Sequence, residues 1–447
     1  MNLDRLVAGL DIGSAKTTAV IAEVVGDLPK HPTVNILGVG QARTTGLRRG
    51  VVADIDETTR SITKALQDAE RMAGAQVHTV YAGIAGEHVQ AMTSKGIASV
   101  TGSEISKADV DRANSVARAQ AIPQDRELIH AIPQEYTVDK NIGIRDPIGM
   151  IGTRLETEMY LVTIGMSPAM NLRKAVEKSG YKVGELVLEP LASALSVLTE
   201  DEKELGVCLV EMGAGTTDVA VFHEGKIRHL GTVNYGGNNV TSDIVHGLGV
   251  TQADAERLKE AYGCAYEPMV EHSEIIKLPS TVAQGDRQIP RELLAHIIHQ
   301  RTAEIFELVM RDVESAGFLK RLSAGVVVTG GAAAQPGTGE LASEVFGTGA
   351  RVGEPGQFLG GLADSVQAPR FSTVVGLVQY GAHRLALGSG GAKGKRLSMA
   401  TAAPSMDKLA QRLKTWLQDF KRQLRSTDLA DPADTAFAVV VPQEGFA

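Results

Sequence analysis

Two short stretches of this chain, two hundred residues apart, carry the residue types that hold phosphate. One is Asp11-Ile-Gly13-Ser14-Ala15-Lys16-Thr17; the other is Glu211-Met-Gly213-Ala214-Gly215-Thr216-Thr217-Asp218. In each, an acid is followed by Gly at the second position and by Thr at the sixth. Glycine lets backbone N–H groups approach phosphate oxygens closely. Ser14, Thr216 and Thr217 add hydroxyl donors, and Lys16 adds a fixed positive charge. Asp11 and Glu211 would repel phosphate directly, and their chemistry suits a hydrated Mg²⁺. Apolar runs flank both copies (Leu6 to Leu10 and Ala19 to Ala22; Val207 to Val210 and Val219 to Phe222), giving strand, glycine turn, strand twice. A single copy fits an ordinary β-hairpin equally well. The pair predicts one half-fold duplicated, with a polyphosphate clamped between the halves.

Three further features converge on such a site. Gly330-Gly331-Ala332 follows the strand-like run Val326-Val327-Val328-Thr329, where a flat base can lie against backbone; taken alone it is a plain strand-to-helix turn. Glu256 and Lys259, three apart on one helix face, have the chemistry to address ribose hydroxyls and a base, the alternative being a solvated ion pair. Gly236-Gly237-Asn238 sits between a strand and a helix, a place where backbone meets sugar or phosphate. No G-x-x-x-x-G-K-[ST] is present, nor a G-x-G-x-x-G opening a helix after a strand, so neither a P-loop nor a dinucleotide fingerprint accounts for the glycines. His296 and His299, after Glu292, lack the H-E-x-x-H order and read as an exposed helical face.

Strands and helices must alternate to position these turns, which argues for an α/β fold. Strands are predicted at Leu6–Leu10, Thr18–Val25, Thr33–Val39, Val77–Ile84 and Ala324–Thr329. Helices are predicted over 54–73 with Asp54 as N-cap, 167–180, 190–199, 338–346 and 371–387. Residues 86–163 break the pattern. They hold a helix Ser106–Ala119, capped by Ser106, and strand-like runs such as Glu127–Ile132 and Glu156–Ile164, and read as a small α+β insert. Residues 238–310 read as a polar, helical interruption of the second half.

The 447-residue length allows two to four domains. A net charge of −8 and 4% aromatics give no basic surface or stacking platform for nucleic acid. Cys208 and Cys264 alone cannot build a disulfide framework, which points to the cytosol. The N-terminus lacks a secretory leader, and no run of eighteen apolar residues exists to span a bilayer.

The C-terminal part differs in kind. Residues 388–406 are Gly/Ser/Ala-rich and read as a flexible linker, and 426–447 as an unstructured tail. Between them, over 407–425, Leu409, Leu413, Trp416, Leu417, Phe420 and Leu424 fall on one helical stripe amid six Lys/Arg, with the only Trp of the chain. That pattern is an interfacial membrane helix. A helix folded back on the core, or a partner-binding helix, is the alternative.

These residues resemble the actin/Hsp70/sugar-kinase ATPase superfamily in order: two phosphate hairpins, the connecting helix Leu188-Glu189-Pro190-Leu191-Ala192-Ser193-Ala194, the Gly330-Gly331 turn and the closing helix at 372–385. Within it the chain is similar to the FtsA family of bacterial cell-division proteins. The stretches that carry the likeness are His130-Ala-Ile-Pro-Gln-Glu-Tyr-Thr-Val138, Ser196–Gly206, Gly236-Gly-Asn-Asn-Val-Thr-Ser-Asp243 and Ser372–Gly381. The resemblance implies an actin-like, duplicated RNase H-like two-lobe fold. Lobe I would be 1–85 with 164–195 and 368–387, and lobe II 196–237 with 311–367; the insert is 86–163, and 238–310 a subdomain.

It also implies ATP and Mg²⁺ in the cleft, with Glu189 ordering the attacking water or the metal shell, actin-like filaments, and a peripheral place on the cytoplasmic face of the inner membrane at the septum. FtsZ would dock its C-terminal tail on 238–310 through Arg301 and Glu304 (otherwise a surface salt bridge), and later division proteins would bind the insert. Two departures stand out: the family's Asp is Glu211 and its Gly is Ala214, so slow or absent turnover is expected. A phosphotransferase or chaperone ATPase is the contrasting reading; a pilus-assembly relative is a third.

Overall fold

The computed structural model describes residues 3–25, 32–281, 285–389 and 439–440. The two predicted hairpins form, and they are equivalent residue for residue. Leu6–Ile12 pairs antiparallel with Lys16–Val25 up to Ile12↔Thr17, and Val207–Met212 pairs with Thr217–His223 up to Met212↔Thr217. Each turn is closed by the same backbone bond, Gly13 N–H to Lys16 O (3.1 Å) and Gly213 N–H to Thr216 O (2.9 Å).

The sheets around them repeat the same order. In lobe I, Thr33–Arg43 lies outside the hairpin, while Thr79–Ile84 and then Lys182–Leu188 lie parallel on its other side. In lobe II the corresponding strands are Lys226–Val233, Val326–Thr329 and Ala350–Val352. Both central strands are apolar on both faces, as sheets covered on two sides require. In lobe I, Ala8 and Leu10 face helices Ile55–Ala73 and Met166–Lys178, while Val7 and Val20 face the closing helix Ser372–Ser389. In lobe II, Val210 and Val328 face Arg291–Ser315 and Thr338–Phe346, while Leu209 and Val327 face the connecting helix Glu189–Val197. The closing and connecting helices pack on each other, with Ser196 Oγ donating to Ser372 O (2.7 Å), and so join the lobes.

Predicted caps hold: Asp54 accepts from Glu57 N–H, and Ser106 and Asp109 form a capping box. The insert is a four-stranded antiparallel sheet, Val89–Ser99, Arg154–Gly165, Arg126–Val138 and Asn141–Ile144, under helix Lys107–Arg118.

Several expectations need correction. The strand read as Glu127–Ile132 runs through Pro133 to Val138, because a register shift opposite Glu158/Met159 gives the proline a place in the ladder. The segment 238–310 is not wholly helical: Ile275–Thr281 and Gly285–Pro290 form a hairpin. Its boundary at 310 falls inside the continuous helix Arg291–Ser315, and the boundary at 195 inside Glu189–Val197. The closing helix reaches Ser389, past the start assigned to the linker. Within the tail, Val439–Val440 pairs antiparallel with Ile275–Ile276, an extended β-branched pair on an open sheet edge. The stripe Leu409 to Leu424 lies outside the described residues.

Candidate functional site

The two glycine turns face each other across a cleft of about 600 Å³. A Cβ placed on Gly215 would lie 3.0 Å from Ser14 Oγ, so the turns of the two lobes are in van der Waals reach. Asp11, Gly13, Ser14, Ala15 and Lys16 line one side; Glu211, Gly213, Ala214, Gly215 and Thr216 line the other. Lys16 is exposed at the mouth and forms no ion pair among the described residues.

The far wall comes from lobe II and its subdomain. Gly237, Asn238, Glu256, Lys259, Gly330, Gly331 and Ala332 all line the cleft. Gly330 has φ +91°, and a Cβ there would meet Met212 O at 2.5 Å, so only glycine turns the chain so tightly against the strand Val207–Met212. Glu256 and Lys259 form an ion pair in which the glutamate side chain is exposed and the lysine side chain is mostly buried. Lys259 Nζ donates to Gly237 O (3.1 Å), Thr241 Oγ1 (2.6 Å) and Glu256 Oε2 (2.8 Å), which pins it in the floor beside the Gly237 turn.

Two expected residues do not reach the wall. Thr217 is fully buried and its hydroxyl donates to Tyr235 O (2.8 Å), because the sixth position of the motif points into the sheet. Gly236 packs its backbone against Gly213 and Ala214. The structure adds Asp218 and Thr373, which the motif reading did not select. Asp218 occupies the place in the second hairpin that Thr18 holds in the first, so the repeat itself was the signal.

Four carboxyl groups share the base of the cleft. Burial pushes Asp11 up to about 7. Burial, then the charges of Asp11, Glu211 and Asp218, holds Glu189 well above the usual range. Burial drives Glu211 up to about 8 against the opposing pull of the nearby Thr373 and Ser193 hydroxyls. Asp218 rises to about 6 through burial, although Thr232 Oγ1 (2.6 Å), Thr216 Oγ1 (3.2 Å) and the Gly86 amide donate to it. Like charges enclosed together cannot all ionise without a cation.

The group fits a hydrated divalent ion. Glu211 Oε1 accepts from Thr373, whereas its Oε2 is buried without a partner among the described residues and can accept from a metal-bound water. Glu211, one methylene longer than Asp11 at the equivalent place in the first hairpin, carries its carboxylate across to the closing helix of lobe I. Among the described residues no three or more His, Cys, Asp or Glu side chains form a group that could hold a metal ion directly.

Away from the cleft, Arg301 forks onto Asp243 (Nε to Oδ2, 2.5 Å; Nη2 to Oδ1, 3.2 Å), bonds Glu304 through Nη1 and lies over the Tyr235 ring at 5.9 Å. It borders a separate groove of about 540 Å³ with His296, Ile297, Gln300, Glu304 and Glu307. His296 Nδ1 lies 2.8 Å from Glu267 Oε2, and His299 Nδ1 accepts from Glu267 N–H (3.4 Å), so the two histidines fasten a loop rather than a metal.

A family model described as cell division protein FtsA matches residues 208–376, and one described as an SHS2 domain inserted in FTSA matches 86–163, the bounds read for the insert. The chain is 38% identical over 418 residues to cell division protein FtsA of Pseudomonas aeruginosa, covering 93% of this chain and 98% of that protein. It is 41% identical over 375 residues to the protein so named from Neisseria meningitidis, covering 84% of this chain and 89% of that one. Among solved structures, a PilM-PilN type IV pilus biogenesis complex aligns with TM-score 0.59 at 15% identity, covering 84% of this chain and 98% of that one. MreB5 of Spiroplasma citri bound to ADP aligns with TM-score 0.51 at 14% identity, covering 87% and 99%. Those two likenesses establish the actin-like fold.

Proposed function

The chain belongs to the FtsA family of cell division proteins, and from that footing we propose that it is an ATP-binding scaffold that ties FtsZ filaments to the membrane. The observation that carries the nucleotide reading is the contact of the two phosphate turns, Gly215 against Ser14, at the mouth of one cleft. The MreB5 structure of the same fold holds ADP, which supports an adenine nucleotide as the ligand.

In this reading the backbone of Gly13 to Ala15 and Gly213 to Gly215 cradles the phosphates, with Lys16 and the Ser14 and Thr216 hydroxyls completing the donor set. Gly330 to Ala332 receives the base, while Gly237, Asn238, Glu256 and Lys259 receive the sugar. Asp11, Glu211 and Asp218 hold a hydrated Mg²⁺, which supplies the positive charge that lets the enclosed carboxyls ionise. Glu189 stands where an attacking water is ordered. With Glu211 engaged by Thr373, the cleft is suited to holding ATP rather than turning it over rapidly.

FtsZ presents its tail to the groove beside Arg301, copies of the chain associate as actin-like filaments, and the insert contacts later division proteins. The apolar stripe of Leu409, Leu413, Trp416, Leu417, Phe420 and Leu424 enters the acyl boundary of the cytoplasmic leaflet, with the Lys and Arg around it meeting the headgroups. Among the described residues no helix is long and apolar enough to cross a membrane. Equilibrium binding of ATP to the purified chain, with and without Mg²⁺, tests the first claim: absence of Mg²⁺-dependent binding sinks it. Electron microscopy on anionic lipid monolayers with ATP, with and without FtsZ, tests the second.

A further inference from the structure

The strand Lys182–Leu188 is the edge of the lobe I sheet. Its inner side pairs with Thr79–Ile84, ending at Leu188↔Ile84, and its outer side has no ladder neighbour among the described residues. Leu188 is buried, and a buried backbone N–H on an edge needs an acceptor. The acceptor comes from the insert: His130 Nε2 takes the Leu188 N–H at 3.0 Å.

Two features fix the histidine in that role. Its ring lies edge-on to Tyr380 of the closing helix at 6.1 Å, and Tyr380 is itself held by its hydroxyl bond to Glu185 Oε2 (2.9 Å). Burial keeps His130 far below its ordinary range, at about 4, so the ring is neutral, with the proton on Nδ1 and a lone pair on Nε2.

Leu188 is the N-cap of the connecting helix, and the next residue is Glu189. Glu189 lies against Gly83, where a Cβ would come within 2.9 Å of its Cγ, and reaches the cleft. A shift of the Leu188 amide therefore moves the first residue of the helix that presents Glu189.

We propose that His130 is a positioning residue for Glu189: through the Leu188 amide it couples the inserted domain to the cleft, so that nucleotide and any partner of the insert influence one another. The coupling rests on the nucleotide reading given above, and it is reciprocal by thermodynamic necessity. It gives the His130 stretch, which carried no chemistry of its own, a task in the cleft.

The test is hydrogen–deuterium exchange and nucleotide affinity of the full chain, with and without Mg²⁺-AMPPNP, for the natural protein, His130→Leu and His130→Gln. Glutamine places an amide oxygen where Nε2 stands. Without nucleotide, His130→Leu should speed exchange in peptides spanning Leu188 about tenfold, the scale of one lost buried hydrogen bond, and leave helix Lys107–Arg118 unchanged. Mg²⁺-AMPPNP should slow exchange in strand Arg126–Val138 of the natural protein but not of His130→Leu. Affinity should fall about tenfold in His130→Leu and return in His130→Gln. Should His130→Leu loosen the whole insert, His130→Gln decides alone: natural-like Leu188 protection and affinity support the coupling. Unchanged affinity in His130→Leu, or failure of His130→Gln to rescue, overturns it. If the natural protein binds no nucleotide, the nucleotide reading fails and the coupling with it; binding that is indifferent to His130 overturns the coupling alone.

Discussion

Thr373, on the closing helix of lobe I, donates its hydroxyl to Glu211 Oε1 at the end of the central strand of lobe II. Ser193 of the connecting helix lies 3.2 Å from the same hydroxyl. The central strand of lobe II is thus tied to the closing helix, and through Thr373 to the connecting helix, by one side chain that is a methylene longer than Asp11, its counterpart in the first hairpin. Thr373→Val should leave a buried carboxyl oxygen without its donor and destabilise the nucleotide-free protein by about 1–3 kcal/mol. Glu211→Asp should withdraw from Thr373 and cost a similar amount, and the double variant should be no worse than the weaker single. Thermal unfolding of the four proteins checks this; strictly additive losses would show that the two residues do not act together.

The pH dependence of the empty cleft has a definite sign. Asp11, Asp218 and Glu211 rise to about 7, 6 and 8 in the folded chain, above the unfolded values of about 4. A carboxyl raised on folding binds its proton more tightly in the native state, so stability is fullest below the unfolded value and is lost as pH rises to the folded one. The nucleotide-free melting temperature should fall between about pH 4 and 8. Asp11→Asn or Glu211→Gln should flatten that fall, and Mg²⁺-ATP should offset it. A melting temperature that is flat or rising over this interval contradicts the enclosed acid cluster.

How much of this was legible in sequence depends on distance along the chain. The twin hairpins were legible because acid, Gly and Thr recur at the same offsets, and those offsets fix the ladder ends at Thr17 and Thr217. The caps Asp54 and Ser106 were legible because capping is local. Pro133 hid the second half of a strand that a register shift preserves. Pro279 similarly broke the alternation of Ile276 and Leu278, both buried, and concealed a hairpin. The inward turn of Thr217 and the reach of Glu211 to Thr373, 162 residues away, depend on tertiary packing that no periodicity encodes.

The contact of the two turns makes Gly215 the sharpest place to separate them. Gly215→Val puts branched atoms where Ser14 Oγ stands 3.0 Å away and forces the lobes apart at the phosphates. Nucleotide affinity should fall by more than about tenfold, roughly 1.4 kcal/mol, while the circular dichroism spectrum stays native. Isothermal titration with Mg²⁺-ATP measures it; unchanged affinity would mean that the ligand does not pass between the turns.

Membrane attachment is assigned to side chains outside the described residues, and its test is direct. Replacing Trp416 or Leu413 by Glu removes an apolar group worth about 1.5–3 kcal/mol on burial and adds a charge to the acyl boundary. Flotation with anionic liposomes should drop by at least about tenfold for either variant, and raising salt should weaken the natural protein as its Lys and Arg contacts are screened. Equal flotation of all three proteins would remove the anchor.

Arg301 is placed as a clamp with a face to spare. Its fork joins Asp243 on helix Gly237–Leu248 to Glu304 on helix Arg291–Ser315, and it keeps about a quarter of its side chain exposed at the edge of the groove. Arg301→Glu sets a third acid beside two, breaking the clamp and reversing the charge offered to a peptide. Arg301→Lys retains the charge but loses the planar two-point grip. FtsZ tail peptide, followed by fluorescence anisotropy, should bind the Glu variant more than about tenfold more weakly than the natural chain, with the Lys variant between. ATP affinity should be unchanged in both, because Arg301 does not line the nucleotide cleft. Glu304→Ala separates the two roles of the cluster: it leaves the Asp243 fork intact, so a loss of peptide there is a loss of contact rather than of helix packing. Identical peptide affinity in all four proteins would place the tail elsewhere on the molecule.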